Sequence, residues 1–140
     1  MFNRIVLAAV ALAISAAVVA AKGEPKKKEE CTTHGYDEIE KRIREAPSCQ
    51  RAVAVFEICE FGASGDVGLG AAVTEKCEGD FLGKLSAAQK RAYDRKQKRC
   101  ALKYQNETGS MYRSFEAFCG AYVARDYSAK FLQSASGKRR

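Results

Sequence analysis

Apolar residues recur at three- and four-residue spacing over most of the chain, and no segment alternates in the manner of a strand, which predicts helices. Ile39 and Ile43 give residues 37–45 a narrow apolar stripe, with acidic residues at the start and Arg42 and Arg44 near the end, as a helix dipole favours. Pro47 closes that segment. Ser48 is placed to cap a second helix over 49–61; Ala52, Val55, Phe56 and Cys59 share one face, and Val53 and Ile58 widen it. Asp66 is a candidate N-cap for a third helix over 67–77, in which Gly68 and Gly70 permit close approach of a neighbour. Ser86 and Gln89 have the spacing of a capping box. They open a long helix over 87–105, with Gln89, Tyr93, Cys100 and Tyr104 near one meridian. Beyond a turn signal at 106–110, Tyr112, Phe115, Phe118, Cys119, Tyr122 and Val123 mark a last helix, continued by Tyr127, Phe131 and Leu132. The expected fold is all-α, a small disulfide-stapled bundle of four or five helices.

The two ends of the chain have a different character. Arg4 precedes an apolar run over 5–20, broken only by Ser15, and Val19-Ala20-Ala21 offers small residues for a signal peptidase. That order of parts predicts a signal peptide over 1–21; an uncleaved anchor is the competing reading, since the run is close to the length that spans a bilayer. Residues 22–30, KGEPKKKEE, predict a disordered charged linker. The folded domain is placed at 31–133 and a flexible tail at 134–140. The expected destination is periplasmic or secreted, with no stable membrane span after leader cleavage.

Cys31, Cys49, Cys59, Cys77, Cys100 and Cys119 all follow the leader. An even number of cysteines in a small exported chain reads as a disulfide framework. A zinc site would bring ligands in close pairs, whereas the nearest two cysteines are ten residues apart and His34 is the sole histidine. Cys49 and Cys59 lie about 80° apart around a helix axis and should reach different partners. Two antiparallel helices bring residues equally distant from their turn to the same height. The midpoint of Cys100 and Cys119 falls at the Gly109/Ser110 turn, and that of Cys59 and Cys77 in the glycine-rich stretch at residue 68. These two bridges are therefore favoured, and Cys31–Cys49 follows by elimination.

The formal charge is +7, or +6 once Arg4 leaves with the leader. This basic balance is read as favouring solubility rather than nucleic-acid binding. The outer face of the long helix, with Lys90, Arg91, Arg95, Lys98 and Arg99, could meet an anionic cell-wall polymer or membrane surface. Catalysis has little to build on. The carboxylate pairs Asp37/Glu38, Glu57/Glu60 and Glu78/Asp80 are candidates for acid–base work, but all read as surface charges. No CxxC redox motif, triad or metal-ligand spacing is visible, and the glycine-rich run lacks the GxxxxGK[ST] order of a phosphate loop. No catalytic residue, cofactor or metal is expected.

Leu85-Ser-Ala-Ala-Gln89, Tyr93, Lys98-Arg99-Cys100-Ala101, Thr108-Gly-Ser-Met-Tyr112, Cys119 and Ala124-Arg125-Asp126-Tyr127 together resemble the C-terminal half of the LprI-like lysozyme inhibitor family. Tyr93 stands where that family usually has tryptophan, and Lys98-Arg99 where it has arginine-aspartate. The resemblance implies a small exported helical protein with disulfides. It further implies a non-enzymatic binding module that inhibits a lysozyme-like cell-wall lytic enzyme or engages another envelope protein. A basic lysozyme calls for an acidic contact surface, and Glu57, Glu60, Asp66, Glu75, Glu78 and Asp80 are the residues that could form one. The alternative is an envelope interaction protein that uses its basic helix.

Overall fold

The structure is a computed structural model that describes residues 30–137. The expected leader, residues 22–29 of the expected linker and residues 138–140 lie outside the described residues. The chain forms α1 (Tyr36–Arg44), α2 (Cys49–Cys59), α3 (Asp66–Glu78), a 3-10 turn (Leu82–Lys84), α4 (Ala87–Tyr104) and α5 (Ser110–Gly137), with no strand among the described residues. It is a helical bundle stapled by three disulfides. No helix among the described residues is long and apolar enough to cross a membrane.

Local signals account for the element ends. The Ser48 hydroxyl accepts from the Arg51 amide. Ser86 Oγ accepts from the Gln89 amide at 3.3 Å, while the Ser86 amide donates to Gln89 Oε1 at 2.8 Å, closing the capping box. Gly109 turns the chain between α4 and α5 at φ +113°, a conformation that favours glycine. The last helix passes residue 133 and takes in Ser134–Gly137, so the expected tail at 134–140 is corrected over those four residues.

Ile39, Ile43, Phe56, Leu69, Val73 and Phe81 form the centre of the core, each at most 1% exposed. The spine of the bundle is the α3–α5 pair, and its register shows that the two helices run parallel. Ser114 Oγ donates to the buried Asp66 carboxylate at 2.7 Å, Gly70 faces Ala117, and Ser128 Oγ donates to Asp80 Oδ2. The seam on α5 is made of small side chains at Ser114, Ala117, Ala121, Ala124 and Ser128, a three-four repeat on one face. This seam sets the orientation of the last helix. Its best-buried positions are Ser114, Ala121, Ala124 and Ser128, whereas the aromatic face is half-buried and Phe115 is exposed. Small side chains let the backbones approach, and an aromatic face at the same position would hold them apart. On the far side α4 runs antiparallel to α5, through Tyr93 against Tyr127, Gln97 against Gly120 and Cys100 bonded to Cys119. Gln89, expected on the inner meridian of α4, is exposed.

A Cβ on Gly70 would lie 2.8 Å from the Ala117 Cβ and 3.0 Å from the Ala117 carbonyl oxygen. Gly70→Ala should gain about 1 kcal/mol of helix propensity. It must also displace the backbone of a neighbouring helix, an overpacking cost of about 1–3 kcal/mol. The expected result is a net loss, read as a lower urea midpoint at unchanged m-value. Gly68→Ala meets only the exposed Tyr36 side chain, which can swing away, and should be close to neutral. A stabilised Gly70→Ala protein would overturn the close α3–α5 contact.

Two of the three expected cystine pairs are corrected. The bridges are Cys31–Cys59, Cys49–Cys77 and Cys100–Cys119, so only the last matches. The equal-height rule itself holds at the two bridges that join helices, Cys49–Cys77 and Cys100–Cys119. The turn between α2 and α3 lies at residues 60–65, not at residue 68, which is inside α3. Cys49 and Cys77 are equidistant from Ala63 in that turn, while Cys59 is only a few residues away. Cys31 lies in the irregular segment before α1, so its bond to Cys59 follows no hairpin register. Cys49 and Cys59 do reach different partners.

Candidate functional site

A surface groove of about 680 Å³ lies among the described residues where the end of α4 and the face of α5 meet the end of α2. Its walls follow from the antiparallel hairpin. The Cys100–Cys119 bridge holds the two helices together, and beyond it Tyr104, at the end of α4, meets Tyr112 and Phe115 on the first turns of α5, with centroids 6.4 and 6.1 Å away. Arg113 Nη2 donates to the Tyr104 carbonyl at 2.9 Å, tying down the free end of α4. The floor is Phe118, whose ring stacks on fully buried Phe56 of α2 at 4.1 Å and 10°. The aromatic lining is therefore anchored to the core on one side and open to solvent on the other.

The polar rim is mostly acidic. Glu57 and Glu60 come from the exposed side of α2 and its C-cap, and Asp126 from α5; Lys103 is the one cation in the lining. Tyr122 donates to Glu57 Oε1 at 3.0 Å. Burial and this hydrogen bond push the Tyr122 hydroxyl above its usual value. Glu60 keeps an exposed flank. Partial burial of its carboxyl, with Asp66 and Glu57 nearby, pushes it above the usual carboxylate range. Lys103 lies over the Tyr104 ring at 5.0 Å, and Arg125 lies 4.5 Å over Tyr122 while pairing with Asp126. The rings of the groove thus already accept cations on their faces.

The remaining expected site residues fall elsewhere. The six-residue acidic patch is not assembled. Of its members only Glu57 and Glu60 line the groove. Asp66 is fully buried and accepts from the amides of Phe61, Gly62 and Ala63 as well as from Ser114. Its carboxylate is turned back on the preceding loop, and no side-chain cap is made at the start of α3, contrary to the expected N-cap role. Glu75 pairs with Arg44 at 2.6 Å. Glu78 accepts from Tyr93 at 2.7 Å, where burial and that bond raise the phenol well above its usual value. Asp80 is taken by Ser128. Asp37 and Glu38 occupy the exposed first turn of α1, and His34 is exposed while Cys31 is bonded. The described residues contain no group of three or more His, Cys, Asp or Glu placed to hold a metal ion. In the sequence the aromatic members of the groove show only the spacing of helix faces. Their exposure depends on the small-residue seam turning α5, a nonlocal fact.

Comparison of the chain with protein-family models, with curated proteins and with solved structures finds no match.

Proposed function

We propose that this chain is an exported, non-enzymatic binding module whose contact surface is the groove between α4 and α5, and that it inhibits a basic, lysozyme-like cell-wall lytic enzyme. The observation that carries this reading is the pairing of an aromatic lining with three rim carboxylates, Glu57, Glu60 and Asp126, on a chain that is basic overall. Aromatic side chains in a pocket are the residues that dominate protein contacts. Opposite charge at the rim raises the association rate and sets specificity. The three disulfides are consistent with an oxidising compartment.

The test is lysis of cell-wall suspensions by a basic lysozyme, with and without the oxidised protein, beside calorimetric titration of the two proteins. Inhibition is expected. The triple substitution Glu57→Gln, Glu60→Gln, Asp126→Asn should weaken binding by about 10-fold or more, mainly in on-rate. Acidification should weaken it too, with Glu60 first to lose its charge because its carboxyl is already raised. The sign for stability is opposite. A raised native pKa means that Glu60 adds stability only below the unfolded value, and this is lost as pH rises through the native one. Glu60→Gln at neutral pH should therefore leave the melt unchanged or raised, so that lost binding is not lost folding. Absence of both binding and inhibition by the native protein would sink the inhibitor reading. Inhibition indifferent to the triple substitution would remove the groove from it.

A further inference from the structure

We infer that the outer face of α4 docks the protein on an anionic phospholipid surface. α4 carries its cations in two groups. Lys90 pairs with Asp94, Lys96 lies over Tyr127 and Lys103 over Tyr104. Arg91, Arg95, Lys98 and Arg99 are all exposed and have no hydrogen-bond, ion-pair or ring partner among the described residues. Elsewhere arginines are engaged: Arg44 with Glu40 and Glu75, Arg113 with Glu116, Arg125 with Asp126. Arg91, Arg95 and Lys98 project within about 60° of arc, with Arg99 at the edge. The four are thus presented outward together as a stripe, with Asp94 held at its margin by Lys90.

The stripe ends in apolar side chains, and this selects the partner. Leu102 lies within the same arc one turn further on and is 47% exposed, and Met111, on the first turn of α5 across the hairpin turn, is 49% exposed. A soluble polyanion offers these two side chains nothing. A bilayer offers headgroup phosphates to the arginines and lysine, and its interfacial region to Leu102 and Met111, the arrangement that holds a helix in the plane of a membrane surface. Arginine suits such a role because its planar fork bonds phosphate oxygens bidentately. This docking uses none of the side chains that line the groove.

The test is co-sedimentation of the disulfide-bonded protein, purified from an exporting host, with phosphatidylcholine vesicles with and without phosphatidylglycerol. Any contribution of the leader is common to all variants. The native protein should prefer the anionic vesicles, and rising salt should remove the preference. The fourfold substitution Arg91→Gln, Arg95→Gln, Lys98→Gln, Arg99→Gln keeps good helix formers on an exposed face. It should cut partitioning by at least about 30-fold with an unchanged thermal melt. Leu102→Ser with Met111→Ser should reduce vesicle binding but not binding to soluble polyphosphate. The proposal is overturned if the native protein shows no preference, or if the fourfold substitution leaves it intact. It also fails if Leu102→Ser with Met111→Ser has no effect while polyphosphate competes fully, which would assign the stripe to a soluble polyanion.

Discussion

In excess reductant the protein is expected to lose its cooperative thermal transition. The Cys31–Cys59 and Cys49–Cys77 bridges each span 28 residues and Cys100–Cys119 spans 19. In the chain-entropy treatment a loop of either size restricts the unfolded chain by about 3–4 kcal/mol. The first two loops interlock, so their effects do not simply add, but the three together still amount to something on the order of 8–10 kcal/mol. A domain of this size has a total stability of roughly 5–15 kcal/mol. The core cannot absorb such a loss. Its fully buried positions include several small ones, Ala52, Ala72, Ala121 and Ala124, which contribute little apolar area each. Among single bridges, Cys49–Cys77 should matter most. Both of its cysteines are at most 1% exposed, so their replacement by alanine leaves a cavity beside the entropic loss. Circular dichroism melts with and without reductant, with a thiol count to establish full reduction, measure the effect. An unchanged melt of the fully reduced chain would show that packing alone suffices.

The same bridges show how far the fold could be read from the residues. Every helix was legible, because capping residues and apolar spacing are local: Ser48, Ser86 with Gln89, and Gly109 act within a few positions of themselves. The pairing of four cysteines was not, and the cause is specific. Gly68 and Gly70 lie in the third helix, as expected, and each admits a neighbour, Tyr36 for one and Ala117 for the other. Centring the hairpin on the glycine-rich stretch at residue 68 instead of on Ala63 changed the partner assigned to Cys77. Asp66 was misassigned by the same logic. An aspartate before an apolar run is a good cap in isolation, but here Ser114, 48 residues away, and three loop amides compete for its oxygens.

The groove was invisible for a related reason. Tyr104, Phe115, Phe118 and Tyr122 have the periodicity of buried faces, and a period alone does not say which of two apolar faces meets the core. The small face of α5 wins because α3 offers Gly70 there, and closely approaching backbones leave no room for rings. The aromatic face is then rotated towards α4 and the end of α2, where the Glu57 and Glu60 carboxylates supply the rim. Tight packing on one side of α5 thus produces an open aromatic surface on the other. The site is a consequence of the seam, so perturbing Gly70 should disturb binding as well as stability.

Asp66→Asn is expected to cost about 3 kcal/mol or more, the largest effect of any single isosteric change in the protein. The carboxylate is 0% exposed. Its Oδ1 accepts from the Phe61 amide at 2.8 Å; its Oδ2 accepts from the Gly62 amide at 2.9 Å, the Ala63 amide at 3.3 Å and the Ser114 hydroxyl at 2.7 Å. All four partners donate, so only a group with two accepting oxygens satisfies them. An asparagine turns one oxygen into a donor, which either faces three donors or faces the Phe61 amide, and leaves buried groups unpaired at about 1–3 kcal/mol each. Ser114 alone can rotate its hydroxyl away, so Ser114→Ala should cost less, about 1–2 kcal/mol. The double substitution should cost less than the sum of the two, since both remove the same bond. Urea unfolding of the three variants measures the cycle. Loss of the carboxylate also frees the loop 60–65 that carries Glu60 and joins α2 to α3, so Asp66→Asn should weaken any ligand of the groove even where the protein stays folded. An Asp66→Asn protein within about 1 kcal/mol of the native stability would mean that the buried carboxylate neither orders that loop nor ties α3 to α5.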